Sequence, residues 1–394
     1  MPSDPQMKRF PWILACVTAL MTAPSAQAQT VSDVVGFLMT NQAVPTSSFE
    51  RDRAAAEAAR DTIIQALQVN LASTPLATSS SGFLYRFNPQ LGTAERATET
   101  FGGFFVERAL TAGAGRLSLG FSTASASFDQ LDGQNLRDGS LVTIANQFRD
   151  EANPFEEELL TLRIRSVTTT FNASVGVNSR LEVGAAVPVM RLTVDGTRVY
   201  KYRGVTSAQA AGSSTASGFG DVALRAKYQL VVAPTGGLSV ATELRLPTGD
   251  EKNLLGAGAA AIRVSAVGSL ERGAAALNVN GGFLQGGVSD EWTAAAGLAV
   301  AVAPRVTLVG EVLGRHLSDL KEISLIATPH PDIAGANTLR LSAGPAGQTL
   351  VDTLAGVKWN VASRLVIEAH ARWSVRHYGL TSAVVPTVGF EYAF

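Results

Sequence analysis

The sequence predicts an all-β protein: a transmembrane antiparallel β-barrel of about twelve strands, preceded by an N-terminal helical segment. Three observations predict it. Pro386, Val388, Phe390, Tyr392 and Phe394 alternate with Thr387, Gly389, Glu391 and Ala393 up to the last residue. That is the pattern of a strand with one face in lipid and the other toward a polar lumen. Similar alternation recurs along most of the chain. The connections between these segments alternate short and longer without exception, as when successive turns fall at opposite ends of a barrel.

Composition agrees. Mean hydropathy is +0.16 and only 16% of residues are charged, against about 25% in an average soluble domain. Yet beyond the first 28 residues no apolar run reaches the roughly 18 residues of a membrane-crossing helix. In a barrel only every second residue meets lipid, so such a run is not needed.

Residues 1–28 read as a secretory signal. Lys8 and Arg9 form the basic region, Phe10 to Met21 the apolar core, and Ala26-Gln27-Ala28 the cleavage site, with cleavage after Ala28. The core is too short to span the bilayer, and Pro24 breaks it. Ile13-Leu14-Ala15-Cys16 is a poor lipoprotein site, because apolar residues continue after it. Cys16 is the only cysteine, so a mature chain has neither a disulfide nor a thiolate metal site. The full chain has 32 basic and 33 acidic residues; losing Asp4, Lys8 and Arg9 leaves 30 and 32. Such a balance gives no case for nucleic acid.

Residues 29–112 are a separate helical segment, either a plug inside the barrel or a periplasmic appendage. Val31 to Met39 is a short apolar stretch. Ser47-Ser48, followed by acidic residues and then Ile63, Ile64, Leu67 and Leu71, predicts a helix over about 50–71. Pro75 and a Ser-rich run end it. Phe83, Tyr85, Phe87, Phe101, Phe104 and Phe105 are candidates to line a path for an apolar solute.

Residues 113–394 form the barrel. Strands are expected near 115–128, 159–177, 181–195, 217–232, 237–247, 259–271, 274–285, 291–303, 306–317, 350–361, 364–376 and 384–394. Long connections, about 129–158, 196–216, 248–258 and 318–349, are expected outside the cell, and short ones such as Asn178-Ser179-Arg180 in the periplasm. Strands 159–177 and 181–195 each change phase once, near Ser166 and Met190, which predicts bulges or a misplaced strand edge.

The expected lumen face carries Arg163, Arg165, Glu182, Arg225, Lys227, Glu243, Arg245, Arg263, Glu271, Glu311, Arg315, Asp352, Lys358, Glu368, His370, Arg372, Arg376 and Glu391. Signs are mixed, which favours neighbouring strands bracing one another over a charge-selective ring. On these faces, Lys at lipid-facing Ile367 is expected to cost more than reversing the charge of Glu368.

Catalytic signals are thin. His316 and Ser318 sit two apart on one strand face, the arrangement of the outer-membrane phospholipase, but Asp319 follows and no Asn lies near before Asn337. His316, His330, His370 and His377 lack zinc-site spacing. No catalytic residue, metal or cofactor is expected. Gly249-Asp250-Glu251-Lys252 reads as a solvated loop.

The segment Phe101 to Gly113, with Ala126 to Gly133, Gly218-Phe219-Gly220-Asp221-Val222 and Leu246-Pro247-Thr248-Gly249-Asp250, resembles the outer-membrane barrels of the MetA-pathway of phenol degradation family. The resemblance covers residues from about 100 to 394. It implies a barrel that passes small apolar or aromatic compounds. Expected partners are outer-membrane lipid, the barrel-assembly machinery through the strand ending in Phe394, and such a solute. The alternatives are a closed structural or assembly-partner barrel and a hydrolase using Ser318 and His316.

Overall fold

A computed structural model describes residues 29–40, 48–72, 85–88, 93–96, 98–233, 235–362, 364–376 and 378–394. The expected signal peptide, Phe83, His377 and the side chains of Tyr85 and Phe87 lie outside what it describes.

Twelve antiparallel strands close into a barrel: β1 (Leu117–Leu131), β2 (Glu156–Gly176), β3 (Leu181–Tyr202), β4 (Val222–Ala233), β5 (Gly236–Leu246), β6 (Ala261–Arg272), β7 (Ala275–Gly286), β8 (Glu291–Ala303), β9 (Val306–Pro329), β10 (Ala336–Ala362), β11 (Leu365–Ser374) and β12 (Val385–Ala393). Each pairs with its neighbours in the chain, and β12 returns to β1. Closure removes every sheet edge, which is what the hydrocarbon region demands of a strand fold. The seam is marked by a row of three phenylalanine rings, one pair stacked and the other edge to face. Phe390 of β12 faces Phe121 of β1, which faces Phe171 of β2, with both centroid distances 5.4 Å. The outward side of the wall is apolar, with Leu224, Ile262, Val264, Leu277, Val312 and Val388 all exposed.

The expected bulges of β2 and β3 are absent. Their pairing runs in unbroken register from Glu156 opposite Tyr202 to Gly176 opposite Glu182. The chemistry changes while the facing does not. Lower on β2, Ser166, Thr170 and Ser174 point inward while Val167 and Phe171 point outward. Higher up, Leu160, Leu162 and Ile164 point inward and Arg163 and Arg165 outward. The wall is therefore inside-polar at membrane depth and inside-apolar above it. Hydropathy alone reads that inversion as a slip of one residue.

The inversion has a cause. α1 (Val31–Thr40) and α2 (Phe49–Leu71) sit in the mouth at the end with the long connections. α1 buries Val31, Val34, Val35, Leu38 and Met39, the spacing of one apolar helix face. α2 buries Ala59, Ile63, Ala66 and Leu67. Together they share one core cluster with Leu160, Leu162, Ile164, Leu192, Val194, Leu317 and Leu341. At Gly196 of β3 a Cβ would stand 2.1 Å from Leu38 Cδ1, so only glycine lets α1 lie this close. Ser48 precedes α2, but its hydroxyl accepts from Arg51 Nη2 at 2.5 Å rather than capping a backbone N–H.

Much of what the sequence assigns to long connections is strand. β3, β9 and β10 continue past the membrane wall. Val205–Phe219 pairs with the upper part of β3, and Leu141–Phe148 bridges β2 and β10. Two further short strands, Gln134–Asn135 and Leu380–Ser382, add to the upper end of β1. Alternating polar residues such as Ser207, Gln209 and Ser213 carry too little apolar signal to be read as strand without their partners.

Candidate functional site

Residues 98–112 form a strap inside the barrel that starts at the end with the short turns, where Phe101 N donates to Thr307 Oγ1 at 3.1 Å, rises to Phe105 and returns to the same end, where Thr111 Oγ1 donates to Ser179 O at 3.1 Å. Its bend is held by Arg108, which donates to Thr98 Oγ1 at 2.8 Å and Thr100 O at 2.8 Å. The Glu311 carboxylate accepts the backbone N–H groups of Phe104, Phe105 and Val106 at 2.6, 2.9 and 3.3 Å. Lys358 Nζ donates to Gly103 O at 2.8 Å. A Cβ on Gly103 would stand 2.2 Å from Glu311 Oε1, so this glycine is what admits the carboxylate. Further along, Glu107 pairs with Arg225 and lies 4.0 Å from Lys227. Ala109 N donates to Ser269 Oγ at 2.8 Å, and Ala112 N to Glu182 at 2.8 Å. Gly115 then donates to Gly176 O at 2.7 Å, where the chain turns into β1.

The wall from β3 to β9 bears an arc of ion pairs. Lys227 lies 3.9 Å from Glu182; Glu243 meets Arg225 at 3.3 Å and Arg245 at 2.8 Å. Arg263 stands 3.9 Å from Glu243 and 3.1 Å from Glu291, and Arg315 is 2.5 Å from Glu291. Strand register creates much of this arc: Glu243 is directly opposite both Arg225 and Arg263. Across the barrel Lys358 pairs with Glu368 at 3.0 Å and Arg372 with Asp352 at 3.1 Å, while Glu391 accepts from Ser118 at 2.5 Å. Apart from Glu391, the remaining wall of β1, lower β2 and β12 offers mainly hydroxyls, such as Ser122, Ser166, Thr170 and Thr387.

Most of the residues expected inside are therefore inside; Glu271 lies half-buried near the short-turn rim. Three are not. Arg163 and Arg165 are exposed on the outer side of β2, where the inward places hold the leucines under the cap. Arg376 lies beyond the end of β11, exposed to solvent. Two interior carboxylates escape sequence reading. Glu291 opens β8, where the alternation of Ala and Gly is too bland to mark a face. Glu107 lies in no strand at all.

The aromatic residues of the strap divide. Phe104 packs on Ala276, Ala299 and Val309, and Phe101 on Val366. Phe105 instead borders two cavities. One, about 70 Å³, is lined by the ion-pair arc. The other, about 110 Å³, lies toward the hydroxyl-bearing wall.

The Gly218–Val222 and Leu246–Asp250 motifs meet as a clasp at the mouth. Asp221 accepts the N–H groups of Gly249 at 2.9 Å and Ala257 at 2.7 Å. Thr248 donates its hydroxyl to Gly220 O at 2.9 Å and accepts from Val222 N at 3.0 Å. The loop so fixed presents Asn253 and Lys252, which accept Val31 N and Ser32 N at the start of α1, both at 3.2 Å. Gly249–Lys252 thus helps seat the cap and is not merely a solvated loop.

His316 and Ser318 both face outward, and His316 Nδ1 contacts Thr349 Oγ1 at 2.9 Å. Among the described residues no group of three or more His, Cys, Asp or Glu is placed to hold a metal ion.

No family model and no curated sequence matches the chain. Among solved structures it is similar to an outer membrane channel from Pseudomonas putida, at 11% identity over 73% of this chain and 98% of that one, with TM-score 0.49. It is also similar to a Pseudomonas aeruginosa FadL homologue, at 10% identity over 81% and 97% with TM-score 0.33. A third is the Ralstonia pickettii toluene transporter TbuX, at 11% identity over 73% and 91% with TM-score 0.30.

Proposed function

We propose that this chain is an outer-membrane channel for small apolar or aromatic solutes, closed at rest by its own strap and helical cap. The observation that carries the reading is Phe105, an aromatic ring between two cavities inside a polar barrel. A barrel serving only as scaffold has no use for space at its centre. The family resemblance, to MetA-pathway barrels, points the same way. On this reading residues 1–28 direct export, and the strand ending in Phe394 is recognised by the assembly machinery. The ion-pair arc braces the wall and holds the strap, and displacement of the strap joins the two cavities into a path.

A second reading, a permanently closed barrel, is favoured by the number of bonds that fix the strap. Planar-bilayer conductance separates them. Gln at position 311 offers one oxygen where Glu offers two, so it cannot accept all three N–H groups as before, and one hydrogen bond to a charged group is worth about 1.5–3 kcal/mol. Glu311→Gln is therefore expected to open the barrel measurably more often than the wild type. Intact cells carrying the chain should also accumulate a small aromatic solute faster than cells without it. Silent bilayers for both proteins, with no gain in uptake, would leave the closed barrel.

A further inference from the structure

His370 of β11 is buried, at 7% exposure, and neither ring nitrogen has a hydrogen-bond partner among the described residues. A buried polar group without a partner costs roughly 1–3 kcal/mol. Its faces are used: the ring lies 4.1 Å from the Phe104 centroid and 5.7 Å, edge to face, from that of Phe105. Its edge is not, and it borders the larger interior cavity.

We propose that His370 anchors a binding site for a small neutral molecule carrying a hydroxyl on a compact apolar body. This rests on the reading that small solutes reach the lumen. The hydroxyl follows from the imidazole, which in its neutral form offers one donor and one acceptor. A hydroxyl answers both, whereas a hydrocarbon answers neither. The apolar body follows from Phe105, Phe128, Ala126, Pro188 and Val385, which line the same space. Neutrality follows from the charges around it, each of which is already engaged. Arg372 is held by Asp352 at 3.1 Å. Arg245 is held by Glu243 at 2.8 Å and donates to Ala72 O. Asp221 is held by the backbone of the clasp. A charged ligand would enter without a counter-charge of its own. Ser122, Ser166, Thr168, Thr170 and Thr387 supply further hydroxyls, which can relay hydrogen bonds to a ligand that does not fill the site.

The test uses the whole chain in lipid nanodiscs with ¹⁵N-labelled histidine, with His370→Phe identifying the His370 signals. Cyclohexanol, methylcyclohexane and cyclohexanecarboxylate are the probes. The His370 ring nitrogens are expected to shift saturably with cyclohexanol. Two hydrogen bonds at about 1 kcal/mol each should make methylcyclohexane at least about ten-fold weaker. No saturable shift with cyclohexanol, an equal response to methylcyclohexane, or preference for the carboxylate would each overturn the site. The wild-type titration decides even if His370→Phe folds poorly. A shift in a barrel that passes no solute would sink the channel reading and leave the site; solute passage without a shift would do the reverse.

Discussion

Consider charge reversal at Glu368 beside a matched change at Ile367. Reasoning from faces alone makes Ile367→Lys the worse, because it places an ammonium in lipid. The structure reverses the order. Lys358, the partner of Glu368 at 3.0 Å, has no exposed side-chain surface. Glu368→Lys would leave Lys358 buried without its carboxylate and set a second ammonium against it. Removing one partner of a buried pair costs about 3–5 kcal/mol, before any repulsion is counted. Ile367 is the third residue of β11 and lies next to Trp359 and Phe390, close to the short-turn rim. A lipid-facing Lys there costs well under the roughly 2–4 kcal/mol of the membrane midplane, falling to about 0–1 near the interface. In urea-induced unfolding in lipid vesicles, Glu368→Lys should therefore lose about 2 kcal/mol or more beyond Ile367→Lys. The double change Lys358→Glu with Glu368→Lys should recover part of the loss. It should not recover all, since Gly103 O would lose its donor. A larger loss for Ile367→Lys would refute the claim that this part of the lumen is closed around its ion pair.

Other perturbations test other parts of the molecule. Gly196→Ala should lift α1 from β3 and cost about 1–3 kcal/mol by overpacking, read as faster protease cleavage within residues 31–40; unchanged cleavage would mean that α1 is not seated there. Epitope tags at Gly139, at the 203–204 hairpin tip and at Gly335 should label on intact cells, and tags at Ser179 or Gly236 should not; the opposite pattern would invert the barrel. Ser213 suits a tag poorly, because it lies within the strand Val205–Phe219. Asp132, at the outer end of β1, accepts from Ile323 N at 2.7 Å, Gly379 N at 2.6 Å and Gln348 Nε2 at 3.1 Å. Burial nevertheless raises its carboxyl above the ordinary range. A raised acid binds its proton more tightly folded than unfolded, so its contribution is full below the unfolded value of about 3.9 and declines as pH rises through the folded one. The thermal margin of wild type over Asp132→Ala should therefore shrink from about pH 3.5 to pH 7, and a margin that grows would refute the sign.

How much of this was legible in the sequence depends on whether a local period carried it. The twelve strands were, because period-2 alternation is a property of neighbouring residues. In β6, β11 and β12 the hydrophobic positions do face outward. The helix over 49–71 was legible for the same reason, as were the inward charges of β4 to β6 and β9 to β11. What the sequence could not state was which way the faces point once the solvent changes. Along β2 and β3 the same inward side meets the lumen below and the leucine core above. Arg163 and Arg165 therefore point outward although Arg225 and Arg263, also between apolar neighbours, point inward. Only the helices packed in the mouth decide that, and they lie far earlier in the chain. The same holds for Glu107 and Glu291, which join one arc because the closed barrel brings the strap and β8 to Arg225, Arg263 and Arg315. Burial is set by what lies opposite, and in a closed barrel that is set by distant parts of the chain.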